Sequence, residues 1–240
     1  MSNHLFPTTV IGSLPRPEWL RQAILDRKAG VLTEDETTAI LDRVIDEAIL
    51  LQERSGLEEI TDGEWRRESY VKVFAERVRG FESDLNVSDI PYPAVVAPVE
   101  YYRPIALEEL SFLRRRTSRR VKVTLPAPYI IGRRMWHPEH SARAYSTREA
   151  LMTDCVGILR QEIEKLKVGG ADTVQLDEPW LSTMIDPGFR KNEGVSDEQW
   201  QYERDLCADL INQTVAGFDD LNIGMHLCHA HFAHKHGTEG

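Results

Sequence analysis

One arrangement of elements occurs three times in this chain and restricts it to few folds: an amphipathic helix, a glycine, and a short strand with a polar end. In residues 32–64, Thr33 and Glu36 have the spacing of a capping box, which predicts a helix start. Gly56 follows the helical pattern and "EEIT" forms the strand. Similar segments cover residues 146–179 and 196–229. Alternating helices and strands predict an α/β fold with a parallel sheet.

The two later copies have the same helix signals, and two more strands fit the scheme. Capping pairs are predicted at Ser146 with Glu149 and at Ser196 with Gln199. The additional strands are "TTVIGS" and "VKVTLP", so strands begin near residues 8, 58, 121, 173 and 222. Their polar ends are typical of a (β/α)8 TIM barrel, whose sites lie at the carboxyl ends of its strands. At this spacing the chain holds only about the first five βα units.

Composition narrows the class of protein and of partner. The chain has 41% hydrophobic and 28% charged residues and a net charge of −10. This charge disfavours nucleic acid and anionic membranes as partners, and no apolar run approaches the roughly 20 residues of a membrane span. Three cysteines imply no disulfide framework, and no signal peptide is evident. We expect one cytoplasmic domain over residues 1–240, with an irregular insertion at about 81–102.

The strand "NIGMHLC" carries the first candidate metal ligands. Period-two alternation places His226 and Cys228 on one face, opposite Ile223, Met225 and Leu227. Imidazole and thiolate are ligands of tetrahedral zinc, so the pair predicts part of a zinc site. The alternative is a buried cysteine beside an ordinary polar histidine. The histidines from His229 onward are predicted to form a solvated loop.

Three other polar residues come at strand ends. Ser13 in "IGSLPRP" offers a hydroxyl, beside backbone amides, to a carboxylate before a proline-opened helix, although a simple strand-to-helix turn is the alternative. Glu64 and Asp177 end the strands in "TDGE" and "QLDEP". Two carboxylates at one edge of a sheet are able to hold an ammonium group. The alternative for each of them is a helix-capping or salt-bridged surface acid.

Taken together, "TTVIGSLPRP", "DGEWRRE", "QLDEPWL" and "MHLC" resemble the catalytic barrel of cobalamin-independent methionine synthases, especially the compact single-barrel relatives. The resemblance implies zinc-dependent methyl transfer from 5-methyltetrahydrofolate, often polyglutamylated, to homocysteine. It implies that Ser13, Glu64 and Asp177 bind homocysteine and that His226 and Cys228 bind zinc. It also suggests Trp136 as a folate-stacking ring. The family's remaining zinc ligands and a late catalytic histidine have no counterpart here, so no catalytic residue is assigned.

Two alternatives stay open at this stage. A related alkyltransferase would use another thiol or methyl donor, for example coenzyme M as acceptor. A non-catalytic truncated paralogue would keep the fold signature without the reaction. Arg66, Arg67, Arg133 and Arg134 are candidate partners for a glutamate tail on folate. A barrel ending after the fifth strand would also leave an edge available for self-association.

Overall fold

A computed structural model describes residues 6–83, 85, 92–192 and 194–228. In these ranges the helices are α1 (Glu18–Lys28), α2 (Glu34–Arg54), α3 (Lys72–Arg77), α4 (Leu107–Arg114), α5 (Pro128–Met135), α6 (Pro138–Ser141), α7 (Arg148–Val168), α8 (Pro179–Thr183), α9 (Pro187–Asn192) and α10 (Asp197–Val215). The strands are β1 (Glu59–Ile60), β2 (Val78–Glu82), β3 (Ala94–Tyr101), β4 (Arg120–Pro126), β5 (Thr173–Asp177) and β6 (Asn222–His226). No helix among the described residues is long and apolar enough to cross a membrane.

The main sheet has the order β1-β4-β5-β6, and every neighbouring pair in it is parallel. The predicted α/β fold with a parallel sheet is therefore confirmed. In the last pair, Asp177 of β5 lies in register with His226 of β6. Because the strands are parallel, the residues at their carboxyl ends share one edge of the sheet.

The segment predicted as the first strand differs from expectation. Within Thr8–Ser13, only Thr9 forms a bridge, parallel to Glu59. The carbonyl oxygens that follow accept hydrogen bonds from side chains of the sheet: Lys122 donates to Val10 O, and Gln175 Nε2 donates to Ile11 O at 2.8 Å. After Thr9, side-chain hydrogen bonds thus replace the strand ladder, and the segment lies against the polar side chains of β4 and β5.

Helix starts follow the predicted capping pattern in two of three copies. Capping boxes form at Thr33 with Glu36 and at Ser196 with Gln199. The predicted pair beginning at Ser146 is wrong by one position, because Thr147 is the N-cap and its hydroxyl accepts from Ala150 N. Either hydroxyl residue is chemically able to cap a helix, so the sequence alone did not separate them.

The core lies between the sheet and the helices that cover it. In β4, Val121, Val123 and Leu125 are buried in the main hydrophobic cluster with residues from α2, α4 and α7. Lys122 and Thr124 alternate with them along the strand and are also buried. The face of β4 that carries Lys122 and Thr124, opposite the hydrophobic cluster, is therefore polar. On β6, Met225 is 46% exposed.

The segment predicted as an insertion at 81–102 belongs to an antiparallel hairpin. β2 pairs with β3, and the register shifts between Arg79 and Phe81. The hairpin begins at Val78, earlier than predicted, and residues 84 and 86–91 lie outside the described part. That residues 1–240 form one domain stays a prediction.

Candidate active site

Ser13 and Glu64 meet at the carboxyl edge of the sheet. Ser13 Oγ donates a 2.5 Å hydrogen bond to Glu64 Oε2, and Thr124 Oγ1 donates at 2.8 Å to Glu64 Oε1. Glu64 is 4% exposed. Both oxygens of this buried carboxylate are therefore held as acceptors by hydroxyl groups from two other segments.

A tight turn after β1 presents Glu64. Gly63 and Glu64 both have positive φ angles, 70° and 57°. For glutamate this left-handed conformation costs on the order of 1 kcal/mol, so other contacts must hold it. Asp62 Oδ1 accepts from Glu64 N at 2.8 Å, and Leu14 N donates to Gly63 O at 3.1 Å. The turn is thus fixed both internally and to the segment that carries Ser13.

A fully buried arginine lies behind Glu64. Arg67 pairs with Glu109 through two hydrogen bonds, Nε to Oε1 at 2.8 Å and Nη2 to Oε2 at 2.5 Å. The same guanidinium donates to Thr124 Oγ1 and Thr124 O, both at 2.9 Å. The nearby carboxylates keep the pKa of Arg67 above its usual value. Arg67 therefore stays cationic and ties the turn after β1 to α4 and β4.

Asp177 is a second buried carboxyl group on this edge. Gln175 Nε2 donates to its Oδ1 at 2.7 Å, and Lys122 Nζ donates to Gln175 Oε1 at 2.9 Å. Burial raises the pKa of Asp177 to about 7, and the negative charge of Glu64 acts in the same direction. A bound cation would oppose both effects, so the electrostatics of this pair favour a positively charged ligand.

The two predicted zinc ligands lie at the end of β6. His226 is the last residue of the strand and Cys228 follows two positions later. Burial lowers the pKa of His226, and the charge of Lys122 adds to the effect. A neutral imidazole is the form that ligates metals, so His226 and the Cys228 thiol fit zinc in donor type. His229 and the later histidines lie outside the described residues.

The buried Glu178 connects β6 to neighbouring elements. Its backbone N donates to His226 O at 3.0 Å, while its carboxylate accepts from Ile130 N at 3.0 Å and Trp180 N at 3.2 Å. Burial raises the pKa of Glu178 to about 8. This residue holds the end of β6 against α5 and α8.

A different group of metal-binding residue types lies away from the sheet edge, around α6. Possible ligand atoms of His137, Glu139 and His140 lie within 4.8 Å of one another. However, His137 Nδ1 accepts the backbone N–H of Glu139 at 3.2 Å and caps the helix. This commits one ring nitrogen to a structural role, and His226 and Cys228 take no part in the group.

The four arginines proposed for a glutamate tail separate into two kinds. Arg66 pairs with Asp42 and Arg67 with Glu109, so neither is free for a ligand. Arg133 and Arg134 instead lie over the ring of Trp180, at 4.5 and 5.5 Å. The Trp136 indole donates to Tyr145 O and packs against the main core. Trp180 packs against the same core. The aromatic ring that these two arginines cover is therefore that of Trp180.

Three site residues were missed from the sequence: Lys122, Thr124 and Glu109. Arg67 was predicted to bind a glutamate tail, whereas the structure pairs it with Glu109. For Lys122 and Thr124 a signal existed, because "RVKVTLP" alternates polar and apolar residues and the strand ends at the same edge as the others. Arg67 and Glu109 carry no such signal, since their pairing joins positions separated by 42 residues.

Comparisons with known proteins show the family of this chain. Residues 6–237 match the family model described as the cobalamin-independent synthase, catalytic domain. The methionine synthase of Sulfurisphaera tokodaii is 31% identical over 236 residues, which are 96% of this chain and 63% of that protein. That of Saccharolobus solfataricus is 34% identical over 237 residues, covering 95% of this chain and 64% of that protein. The chain thus spans less than two thirds of these relatives.

A solved structure shows the same fold. The B12-independent methionine synthase from Shewanella sp. W3-18-1, in complex with selenomethionine, aligns with a TM-score of 0.72 at 23% identity. The alignment covers 95% of this chain and 62% of that chain.

Proposed function

The chain belongs to the family of the cobalamin-independent synthase catalytic domain, and we propose that it transfers a methyl group to the thiol of homocysteine, giving methionine. One observation carries the proposal. The hydroxyl-braced carboxylate Glu64 and the buried Asp177 lie at the same sheet edge as His226 and Cys228. This edge offers acidic groups for an amino acid's ammonium beside nitrogen and sulfur donors for a metal.

In this proposal Glu64 and Asp177 bind the ammonium group of homocysteine. Each oxygen of Glu64 accepts one hydroxyl hydrogen bond and retains further acceptor capacity. Burial and the negative charge of Glu64 both disfavour the ionised form of Asp177. The positive charge of a bound ammonium opposes this effect. An uncharged or anionic group at the same position would leave these acids without a partner. Glu64 and Asp177 therefore favour a thiol that carries an ammonium group over a thiol that carries only an acid group. We call this pair of residues the ammonium clamp.

His226 and Cys228 would hold zinc together with further ligands, since zinc normally takes three or four from the protein. When bound, zinc supplies a Lewis acid that keeps a coordinated thiol deprotonated and nucleophilic near neutral pH. The half-buried His226 is suited to this role because its pKa is lowered. Glu178 supports it through the hydrogen bond to His226 O.

We propose that the methyl donor is 5-methyltetrahydrofolate and that a polyglutamate tail on the folate binds the arginines near Trp180. Arg133 and Arg134 stack on Trp180 next to β5, and Arg134 Nε is buried without a hydrogen-bond partner among the described residues. Guanidinium groups bind carboxylates, and an indole offers a face for a ring system. The departing amine of the folate requires a proton, because an amine anion is a poor leaving group.

The experiment is methyl transfer with matched acceptors. The full-length protein, with its complete set of zinc ligands, is supplied with zinc and labelled 5-methyltetrahydrofolate, and with either L-homocysteine or coenzyme M. We expect labelled methionine and no labelled methyl-coenzyme M, because coenzyme M lacks an ammonium group and carries a sulfonate. Methylation of coenzyme M instead would favour the related alkyltransferase. Absence of any methylated thiol would favour the non-catalytic alternative.

A further inference from the structure

We propose that Arg67 and Thr124 are positioning residues that fix Glu64 for ammonium recognition, an inference that rests on the proposed homocysteine site. Thr124 Oγ1 lies between the two groups, 2.9 Å from Arg67 Nη1 and 2.8 Å from Glu64 Oε1. All three side chains are buried. Neither Arg67 nor Thr124 needs to contact the ligand to have this effect.

The chemistry of the three groups determines the direction of each hydrogen bond. A guanidinium only donates, so the Thr124 oxygen must accept from Arg67. The hydroxyl has a single hydrogen, and the remaining neighbour is the carboxylate oxygen of Glu64. The hydrogen of Thr124 is therefore directed to Oε1, and no rotation of the hydroxyl can satisfy both partners in another way.

The orientation of the carboxylate follows from this constraint. Ser13 Oγ donates to Glu64 Oε2 while Thr124 Oγ1 donates to Glu64 Oε1. Each oxygen of the carboxylate is thus held by one hydroxyl group, and this fixes the rotation of the carboxylate. Arg67 is itself immobilised by its paired hydrogen bonds to Glu109 on α4. The series Glu109, Arg67, Thr124, Glu64 thus connects a buried ion pair to the proposed ligand-binding oxygen atoms.

A purely structural role would not require this connection. Two hydrogen bonds to Glu109 and one to Thr124 O already use three N–H groups of Arg67. The additional bond from Nη1 to the Thr124 hydroxyl reaches the face of the sheet on which Glu64 lies. It is this bond that determines how Glu64 can receive an ammonium group.

The test compares two substitutions and two ligands. Thr124→Val keeps the shape of the side chain but removes the hydroxyl, and Thr124→Ser restores it. Calorimetry measures the binding of L-homocysteine and of 4-sulfanylbutanoic acid, which lacks the amino group. We expect Thr124→Val to weaken homocysteine binding about tenfold, the scale of a hydrogen bond to a charged group. Binding of the analogue should change little, and Thr124→Ser should recover the affinity for homocysteine.

The outcomes separate this inference from the function on which it rests. A wild-type protein that binds both ligands equally would refute the ammonium clamp and this inference with it. A wild-type protein that discriminates, beside a Thr124→Val variant with unchanged homocysteine affinity, would refute this inference alone. Equal loss of both ligands in Thr124→Val, with a lowered melting temperature that Thr124→Ser does not show, would assign Thr124 a structural role instead.

Discussion

Ser13 and Glu64, 51 positions apart in the chain, are joined by a 2.5 Å hydrogen bond at the carboxyl edge of the parallel sheet. The residues come from different segments: Ser13 follows the segment that lies against the side chains of β4 and β5, and Glu64 lies in a left-handed turn after β1. Their contact brings the hydroxyl-bearing and acidic motifs of the sequence into one site.

Asp177→Asn should weaken homocysteine binding by about ten- to hundredfold, because the ammonium loses a charged partner whose hydrogen bond is worth roughly 1.5 to 3 kcal/mol. Calorimetric affinity, or KM where turnover is measured, reports the change. Asp209→Asn on the exposed surface of α10 is the matched control and should have no effect. Unchanged affinity in Asp177→Asn would remove this residue from the clamp.

Arg67→Met should destabilise the protein by about 3 to 5 kcal/mol, because Glu109 would remain buried without its cationic partner. Replacing both residues, as Arg67→Met with Glu109→Leu, should recover much of the loss. Arg116→Met, which breaks the more exposed pair with Asp46, should cost less than about 1 kcal/mol. Urea unfolding of the wild type and the three variants measures these differences in the free energy of unfolding. If Arg67→Met lowered the free energy of unfolding no more than Arg116→Met does, Arg67 and Glu109 would not form the buried ion pair described above.

Gly63→Ala should destabilise the turn that presents Glu64 more than Gly56→Ala destabilises the end of α2. Both glycines have positive φ angles, 70° and 79°, so both substitutions carry the cost of a left-handed alanine. At Gly63 an added Cβ would also lie 3.0 Å from Leu14 Cδ1, whereas nothing lies within 4 Å at Gly56. Overpacking of this kind costs about 1 to 3 kcal/mol. Equal melting temperatures for the two variants would show that the turn yields freely.

The general fold was predictable because it depends on local patterns. Capping residues such as Thr33 and Ser196, and glycines after helices, mark the helix boundaries and so the order of the strands. Parallel pairing then follows from the helical connections between strands. Glu64, Asp177, His226 and Cys228, assigned from motifs, fall at one edge for the same reason, and Ser13 joins them through its hydrogen bond to Glu64.

The network behind the site was not predictable in this way. Arg67, Glu109 and Thr124 pair across 42 and 57 residues, and nothing local distinguishes this arginine from the exposed ones. The first segment, "TTVIGS", was predicted as a strand because it fits the repeated helix–strand scheme. Its ladder is nevertheless largely missing, because Lys122 and Gln175 bind its carbonyl groups. These hydrogen bonds from side chains to carbonyl groups form only when β4 and β5 are assembled in the sheet.

We propose that homocysteine presents its thiol to a metal held by His226 and Cys228. X-ray absorption at the zinc edge tests it directly, on the zinc-loaded protein before and after addition of L-homocysteine. We predict that the number of sulfur ligands at about 2.3 Å rises by one with homocysteine. Cys228→Ser should lower the starting number by one, whereas Cys207→Ser, a change of a buried core thiol, should not alter it. A zinc–sulfur count unchanged by homocysteine, or equal in wild type and Cys228→Ser, would contradict the account.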